Sequence, residues 1–378
     1  MSEKPGILIV CEASPPGNGP AGTEAHRVAA ALTSRGHRVH LLTRPPQGRS
    51  PLGQARAYSF ALQLAYDMVR RRDEFDLVAF FLVGPHLGAG LAAAYVLRKA
   101  IAVKFSDHGI FTSMSRTAVG QFELGWLRDW ETPLMLPDER MTAQAEAAGF
   151  PRSQLFSLPE VVDTDVFRPP SPEDAIAWRH KHGIPPDAKV AICTGRLSPQ
   201  SGISDVMHGV ADAAKADPAS MLVLVGDGPA RGELQSLAQR LDPSGARFRF
   251  AGFVPPAEIP GWLASADVFT SASPSQNPST TLLEAMASGL PSVVSNTDGN
   301  LRVIQNQVHG LTTPSRELAA IGVALVALFS DPGLRLRLGT AARERVVENY
   351  SLINHLPRYQ ALFMHALSVG LRNRGGKA

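Results

Sequence analysis

Residues 6–44 read GILIVCEASPPGNGPAGTEAHRVAAALTSRGHRVHLLTR, and this stretch decides the fold. Gly6–Cys11 is a short apolar run, and a loop rich in Gly and Pro follows it. From about Thr23 to Arg35 the pattern is helical until Gly36 stops it, and Val39–Leu42 alternates into a second strand. Strand, Gly-rich loop, helix, strand is the opening βαβ unit of a parallel sheet. The rhythm continues through strand candidates at Leu77–Leu82, Ile101–Phe105 and Leu155–Leu158.

Residues 163–174 read DTDVFRPPSPED, where three prolines remove backbone donors and favour an extended join. The alternation then restarts, with strands expected at Lys189–Thr194, Met221–Gly226, Phe248–Phe253, Asp267–Ser271 and Pro291–Ser295. The expected architecture is α/β: two Rossmann-like lobes, 1–165 and 175–350, facing across a central cleft. A last helix, about 352–371, is expected to pack back on the first lobe. Ligands of such sheets bind beyond the carboxyl ends of the strands.

Composition narrows the function classes. The 37 Lys and Arg stand against 34 Asp and Glu, which is too even a balance for a protein that coats nucleic acid. Two cysteines, Cys11 and Cys193, lie in apolar runs and read as buried hydrophobes; neither a disulfide framework nor a Cys-based zinc site is expected. The apolar stretch near the amino terminus is too short for a signal peptide, and Leu77–Leu97 parses as strand, turn and helix rather than a membrane span. The expectation is a soluble, cytoplasmic chain without an integral membrane segment.

Several loops carry chemistry. Gly17, Gly19 and Gly22 match G-x-G-x-x-G and open a helix, which invites a nicotinamide cofactor. The second strand ends VHLLTRPP, however, without the acidic residue a ribose contact needs. Gly195 and Arg196 follow a strand, and an Arg there offers a planar fork of donors suited to phosphate. Residues 273–291 read SPSQNPSTTLLEAMASGLP, a polar loop running into a helix that carries Glu284. A carboxylate one turn into a helix can accept from two vicinal ribose hydroxyls, while the helix N-terminus holds a diphosphate. Asp163-Thr-Asp165 formally matches a D-x-D metal signature, but its place in the Pro-rich join assigns it to turn and capping roles, and no metal site is expected.

In order along the chain stand Gly22-Thr-Glu24, Arg35-Gly-His-Arg-Val39, Asp107-His-Gly109, Val162-Asp-Thr-Asp-Val-Phe-Arg-Pro169, Gly195-Arg196, Gly226-Asp-Gly-Pro229, Ala266-Asp-Val-Phe269, Leu283-Glu-Ala-Met-Ala-Ser-Gly-Leu-Pro291 and Gly299-Asn-Leu-Arg-Val-Ile304. With these motifs the chain resembles the retaining glycosyltransferases of family 4, which have the GT-B fold. The resemblance implies that Glu284 binds the donor ribose and Arg196 grips the donor diphosphate, with Gly195, Ser279, Thr280 and Thr281 lining the same pocket. It places Phe253 and Val254 beside the nucleobase, His108 near the transferred sugar, and Gly17–Gly22 in a loop near the diphosphate and acceptor.

Three departures stand out, one being Ser279 where the family's small Gly is usual. The first glutamate of the family's E-x7-E element falls on Gln276, which brings no charge to the sugar face. The family lysine after the Gly-Arg loop falls on Ser201, which removes a cation from the departing diphosphate; Arg302 and Lys104 are candidate substitutes. The resemblance implies retaining, metal-independent transfer from a nucleoside-diphosphate sugar (UDP, GDP or dTDP) to a hydroxyl of a small-molecule acceptor, with natural-product assembly of an aminoglycoside-like compound as the expected setting. No cofactor beyond that co-substrate is expected. The alternatives are a lipid-linked or cell-wall acceptor, and a non-catalytic GT-B partner protein.

Overall fold

The structure is a computed structural model that describes residues 4–12, 20–44, 51–274 and 279–375. The chain divides into two compact units, residues 1–160 with 355–378, and residues 161–354. The Pro-rich segment 163–174 therefore belongs to the second unit, and the terminal helix Leu352–Gly375 lies almost wholly in the first.

The first unit is one parallel sheet of β1 (Ile7–Glu12), β2 (Val39–Arg44), β3 (Leu77–Phe80), β4 (Ala100–Lys104), β5 (Leu134–Leu136) and β6 (Leu155–Ser157), in the order β2-β1-β3-β4-β5-β6. β3 and β4 are buried throughout, as strands covered by helices on both faces must be, which is why they read as continuous apolar runs. Leu77–Leu97 resolves into β3 and the helix Leu87–Val96, as its Pro85-His86 interruption foretold. Among the described residues, no single helix is long and apolar enough to cross a membrane.

A buried charge cluster ties the terminal helix to this sheet. Lys104 at the end of β4 is ion-paired with Glu24 of the helix Pro20–Ser34, and the Tyr359 hydroxyl donates to the other oxygen of the same carboxylate. All three side chains are fully buried, and Glu160 joins them. Burial pushes the Lys104 ammonium down, but Glu24 and Glu160 outweigh it and leave its pKa raised. The Glu160 carboxyl is pushed up to about 7 by burial first and by the neighbouring Glu24 second, with Lys104 and Arg27 opposing. The folded chain thus favours protonated Glu160. Its contribution to stability is complete below the ordinary value of 4.5 and is lost as pH rises through about 7. Glu160→Gln should therefore stabilise the protein at pH 8 relative to wild type, on the order of 3 kcal/mol, and by little at pH 4.5. Urea unfolding of both chains across that range is the check.

The second unit contains β7 (Lys189–Thr194), β8 (Ser220–Val225), β9 (Phe248–Gly252), β10 (Val268–Ser271), β11 (Ser292–Ser295) and β12 (Leu311–Thr313), all parallel, in the order β12-β11-β10-β7-β8-β9. Counted from its own first strand, this is the dinucleotide-fold order 3-2-1-4-5-6, with the direction of winding reversing between β7 and β10. The crevice outside the carboxyl ends of those two strands is where such a sheet binds its ligand. The first unit differs: its order places the reversal between β1 and β3.

Arg343 locks the ligand-side helix of the second unit from behind. Its guanidinium donates to the carbonyls of Thr164, Phe167 and Ala287, the last at the carboxyl end of the helix Thr280–Ala287. A cation satisfies the open carbonyls there and opposes the negative end of the helix dipole. Asp163 caps its own turn, accepting from the amides of Asp165 and Val166, the turn role assigned from the sequence. Both cysteines are buried, and burial pushes the Cys193 thiol up to about 12, so it is no nucleophile at neutral pH.

Candidate functional site

Three loops and one helix N-terminus meet at the reversal point of the second sheet. β7 ends in Gly195, whose φ of 132° is open only to glycine, and its amide donates to the Val225 carbonyl at 2.9 Å. β8 ends in Gly226, φ 139°, whose amide donates to the Gly252 carbonyl at 2.8 Å. A Cβ on Gly226 would stand 1.9 Å from the Gly195 carbonyl oxygen, and one on Gly228 would stand 2.3 Å from that of Leu197. The two turns therefore press backbone on backbone, which explains why the sequence carries Gly at 195, 226 and 228. Gly226→Ala should cost about 3 kcal/mol or more, through both the clash and the disallowed φ. A thermal melt within a degree or two of wild type would show the turn to be less constrained than this packing requires.

Arg196, next to Gly195, is exposed and makes no hydrogen bond or ion pair with any described residue. Ser201 turns back on its own loop, its hydroxyl donating to the Ser198 carbonyl at 2.6 Å, so it offers a ligand no charge. Gly202 follows at φ 69° and starts the helix Ile203–Ala216; a Cβ there would stand 2.2 Å from the Ala272 carbonyl, which ties this loop to the end of β10.

From β10 the chain leads to the helix Thr280–Ala287. Ser279 is its N-cap residue, yet its side chain makes no capping bond and instead meets the Thr281 hydroxyl at 2.6 Å. The Ser279 carbonyl accepts from Leu282 and Leu283, leaving the first-turn amides of Thr280 and Thr281 without intrahelical acceptors. Those amides carry the positive end of the helix dipole. The Thr281 methyl carbon lies 3.9 Å from where a Cβ of Gly195 would be, so this helix start adjoins the Gly195-Arg196 turn. Glu284 lies one turn in, 7% exposed. Every residue from Leu282 to Ala287 is buried, a wider core face than Leu282, Leu283 and Met286 alone.

On the far side of the Gly226 turn, Phe253 follows β9 and is half-exposed, while Val254 packs on the core. Arg231 bonds Asp227 at 2.7 Å, and the Gly228 amide together with Arg231 holds that carboxyl below its ordinary range. Arg231 also stands 3.4 Å from the position of a Gly252 Cβ, so a cation the sequence reading passed over sits beside Phe253.

In the first unit, His108 follows β4, with its Nε2 3.2 Å from Asp138 Oδ2. Asp138 also caps the helix Glu139–Ala147 through the Met141 amide. Lys104 is no substitute for the missing lysine, because Glu24 takes up its ammonium within the sheet core. Arg302 is half-buried on the short helix Asp298–Val303 after β11. Gln276, Gly17 and Gly19 lie outside the described residues; Gly22 is buried in the helix Pro20–Ser34.

Comparison with known proteins adds to this geometry. Residues 174–345, nearly the whole second unit, match the family described as Glycosyl transferases group 1. A GDP-mannose-dependent alpha-(1-6)-phosphatidylinositol monomannoside mannosyltransferase of Mycolicibacterium smegmatis is 29% identical over 221 residues, 56% of each chain. The enzyme of the same name from Mycobacterium tuberculosis is 27% identical over 268 residues, 69% of each chain. The match thus spans between about half and two thirds of these relatives. Among solved structures, Anabaena Alr3699/HepE in complex with UDP and glucose superimposes with a TM-score of 0.71 over 94% of this chain and 98% of that one, at 18% identity. At that identity the likeness shows the shared two-sheet fold.

Proposed function

We propose that the protein moves a sugar from a nucleoside-diphosphate sugar to an acceptor hydroxyl, as the match of residues 174–345 to the group 1 glycosyl transferases supports. The observation that carries this reading is the convergence of the Gly195-Arg196 turn, the Gly226 turn and the Thr280 helix start at the winding reversal, with buried Glu284 one turn behind. Amide donors and an unengaged guanidinium suit a diphosphate, and the carboxylate suits paired ribose hydroxyls. Phe253 and Arg231 border the place left for the base.

Transfer proceeds with retention. By the family resemblance the residue meant to face the sugar is Gln276, which brings no carboxylate. In this reading the leaving phosphate oxygen therefore takes the acceptor proton as the sugar–phosphate bond breaks and the new bond forms on the same face. Arg196 and the Thr280 and Thr281 amides hold the charge that develops on the diphosphate, a preorganised stabilisation that needs no metal. For the acceptor, the relatives shift the reading from a soluble small molecule to a lipid-linked hydroxyl, since the mycobacterial enzymes are named for a phosphatidylinositol monomannoside.

Ser201 and Gln276 favour a second reading, a non-catalytic binding protein. Ser201→Lys separates the two. A working transferase already turns over, and the added cation should raise kcat by about tenfold through the leaving diphosphate. Donor hydrolysis or transfer that appears only in the variant would instead identify the natural chain as inactive.

A further inference from the structure

The first unit carries a second pocket at the amino-terminal end of its sheet, the end opposite to where open α/β sheets bind their ligands. It has a volume of about 610 Å³, and Ala100, the first residue of β4, forms part of its floor. Tyr95 and Trp130 line it, and a file of aromatic rings continues from them. Tyr95 stacks on Trp130 with centroids 4.7 Å apart and planes at 26°, Trp126 meets Trp130 at 4.9 Å, and Phe122 meets Trp126 at 5.4 Å. Trp126 and Trp130 rest against the core, but core packing does not account for Tyr95 and Phe122, which are 52% and 65% exposed.

Charged residues of both signs stand among the rings. Arg98 and Asp129 line the pocket, and Glu131, paired with Arg372 at 3.2 Å, follows Trp130. Arg98 and Glu131 have φ of 53° and 51°, two of only four non-glycine residues with positive φ among those described. Each follows the end of a helix, Leu87–Val96 and Ala118–Asp129, where glycine is the usual residue. A charged side chain stands at each, against backbone preference.

We propose that this pocket is a saccharide-binding site, taking the apolar face of a pyranose against the Tyr95–Trp130 pair. A sugar ring offers C–H groups to an aromatic face and hydroxyls that both donate and accept. Arg98 can only donate and ionised Asp129 can only accept, so a neutral polyol uses both. A hydrocarbon chain would strip water from these charges without replacing it. Asp129 in the pocket wall would repel an anionic headgroup that Arg98 and Lys99 attract, whereas a neutral saccharide meets no repulsion from either sign. The proposal concerns binding and stands whether or not the donor reading holds.

The test is saturation-transfer NMR on the full chain with methyl α-glucoside, methyl α-mannoside and maltose at millimolar concentration. At least one sugar should receive saturation, strongest on the protons of one ring face. Tyr95→Ser and Arg98→Gly should each weaken binding about fivefold or more, as expected for losing a stacking face or a charged donor. Arg98→Gly also relieves the positive φ, so a loss of binding there cannot be laid to misfolding. Glu284→Ala should leave the signal intact. The proposal is overturned by no transfer to any of the three sugars, or by transfer that both variants retain. It is equally overturned if Tyr95→Ser leaves sugar binding unchanged and instead abolishes sedimentation with phosphatidylglycerol vesicles or self-association of the chain.

Discussion

Glu284→Ala should lower kcat/KM for the nucleotide sugar by about two to three orders of magnitude. A hydrogen bond to a charged group contributes about 1.5–3 kcal/mol, and a ribose presents two hydroxyls to this carboxylate. Much of the loss should appear as weaker binding of the bare nucleoside diphosphate, because the ribose is held alike before and during transfer. Glu284→Gln keeps the shape and one acceptor oxygen and should fall between. The substitution stays local: the rest of the helix face, Leu282, Leu283 and Met286, is apolar and buried without it. Nucleotide affinity unchanged in Glu284→Ala would remove the ribose role, and with it the E-x7-E register that assigns Gln276 to the sugar.

The second large effect is on folding. Lys104→Met should destabilise the first unit by about 3–5 kcal/mol, because Glu24 and Glu160 then share a buried site without their cation. Lys104→Met combined with Glu24→Gln should recover most of that loss, since removing both partners of a buried pair is often close to neutral. The double-mutant cycle, read by denaturant unfolding, measures the coupling directly. Losses that simply add would mean that the pair does not act as one unit. The stake is the terminal helix, whose Tyr359 hydroxyl is bound by the same Glu24 carboxylate.

These two cases also mark how far the sequence can be read. The donor side of the second unit was legible because its signals are local. Glycines at 195, 226 and 228 are imposed by backbone geometry within short turns, and each turn directly follows a strand recognisable as an apolar run. β7 falls at the bounds expected from pattern alone. β5 and β12, three residues each, carried too little pattern to be expected, although the equally short β6 was read from Leu155–Leu158. The Glu24–Lys104–Tyr359 cluster escaped for another reason. Glu24 and Tyr359 are 335 residues apart, and a lysine within an apolar strand carries no sign of the partner that neutralises it. Thus Lys104, a possible phosphate cation on charge alone, proves to be a core residue. Arg343 likewise reads as one more arginine on a helix until its three carbonyl partners are seen.

The central claim is that the second unit holds a nucleoside diphosphate at the junction of β7 and β10, and thermal unfolding with UDP, GDP, dTDP, ADP and CDP tests it most directly. A ligand that binds only the folded chain stabilises it by about 2.7 kcal/mol at a hundred times its Kd. One of the five should raise the melting temperature clearly above the others, and the rise should vanish in Glu284→Ala while that variant alone melts like wild type. No shift with any of the five at millimolar concentration would contradict a working donor site.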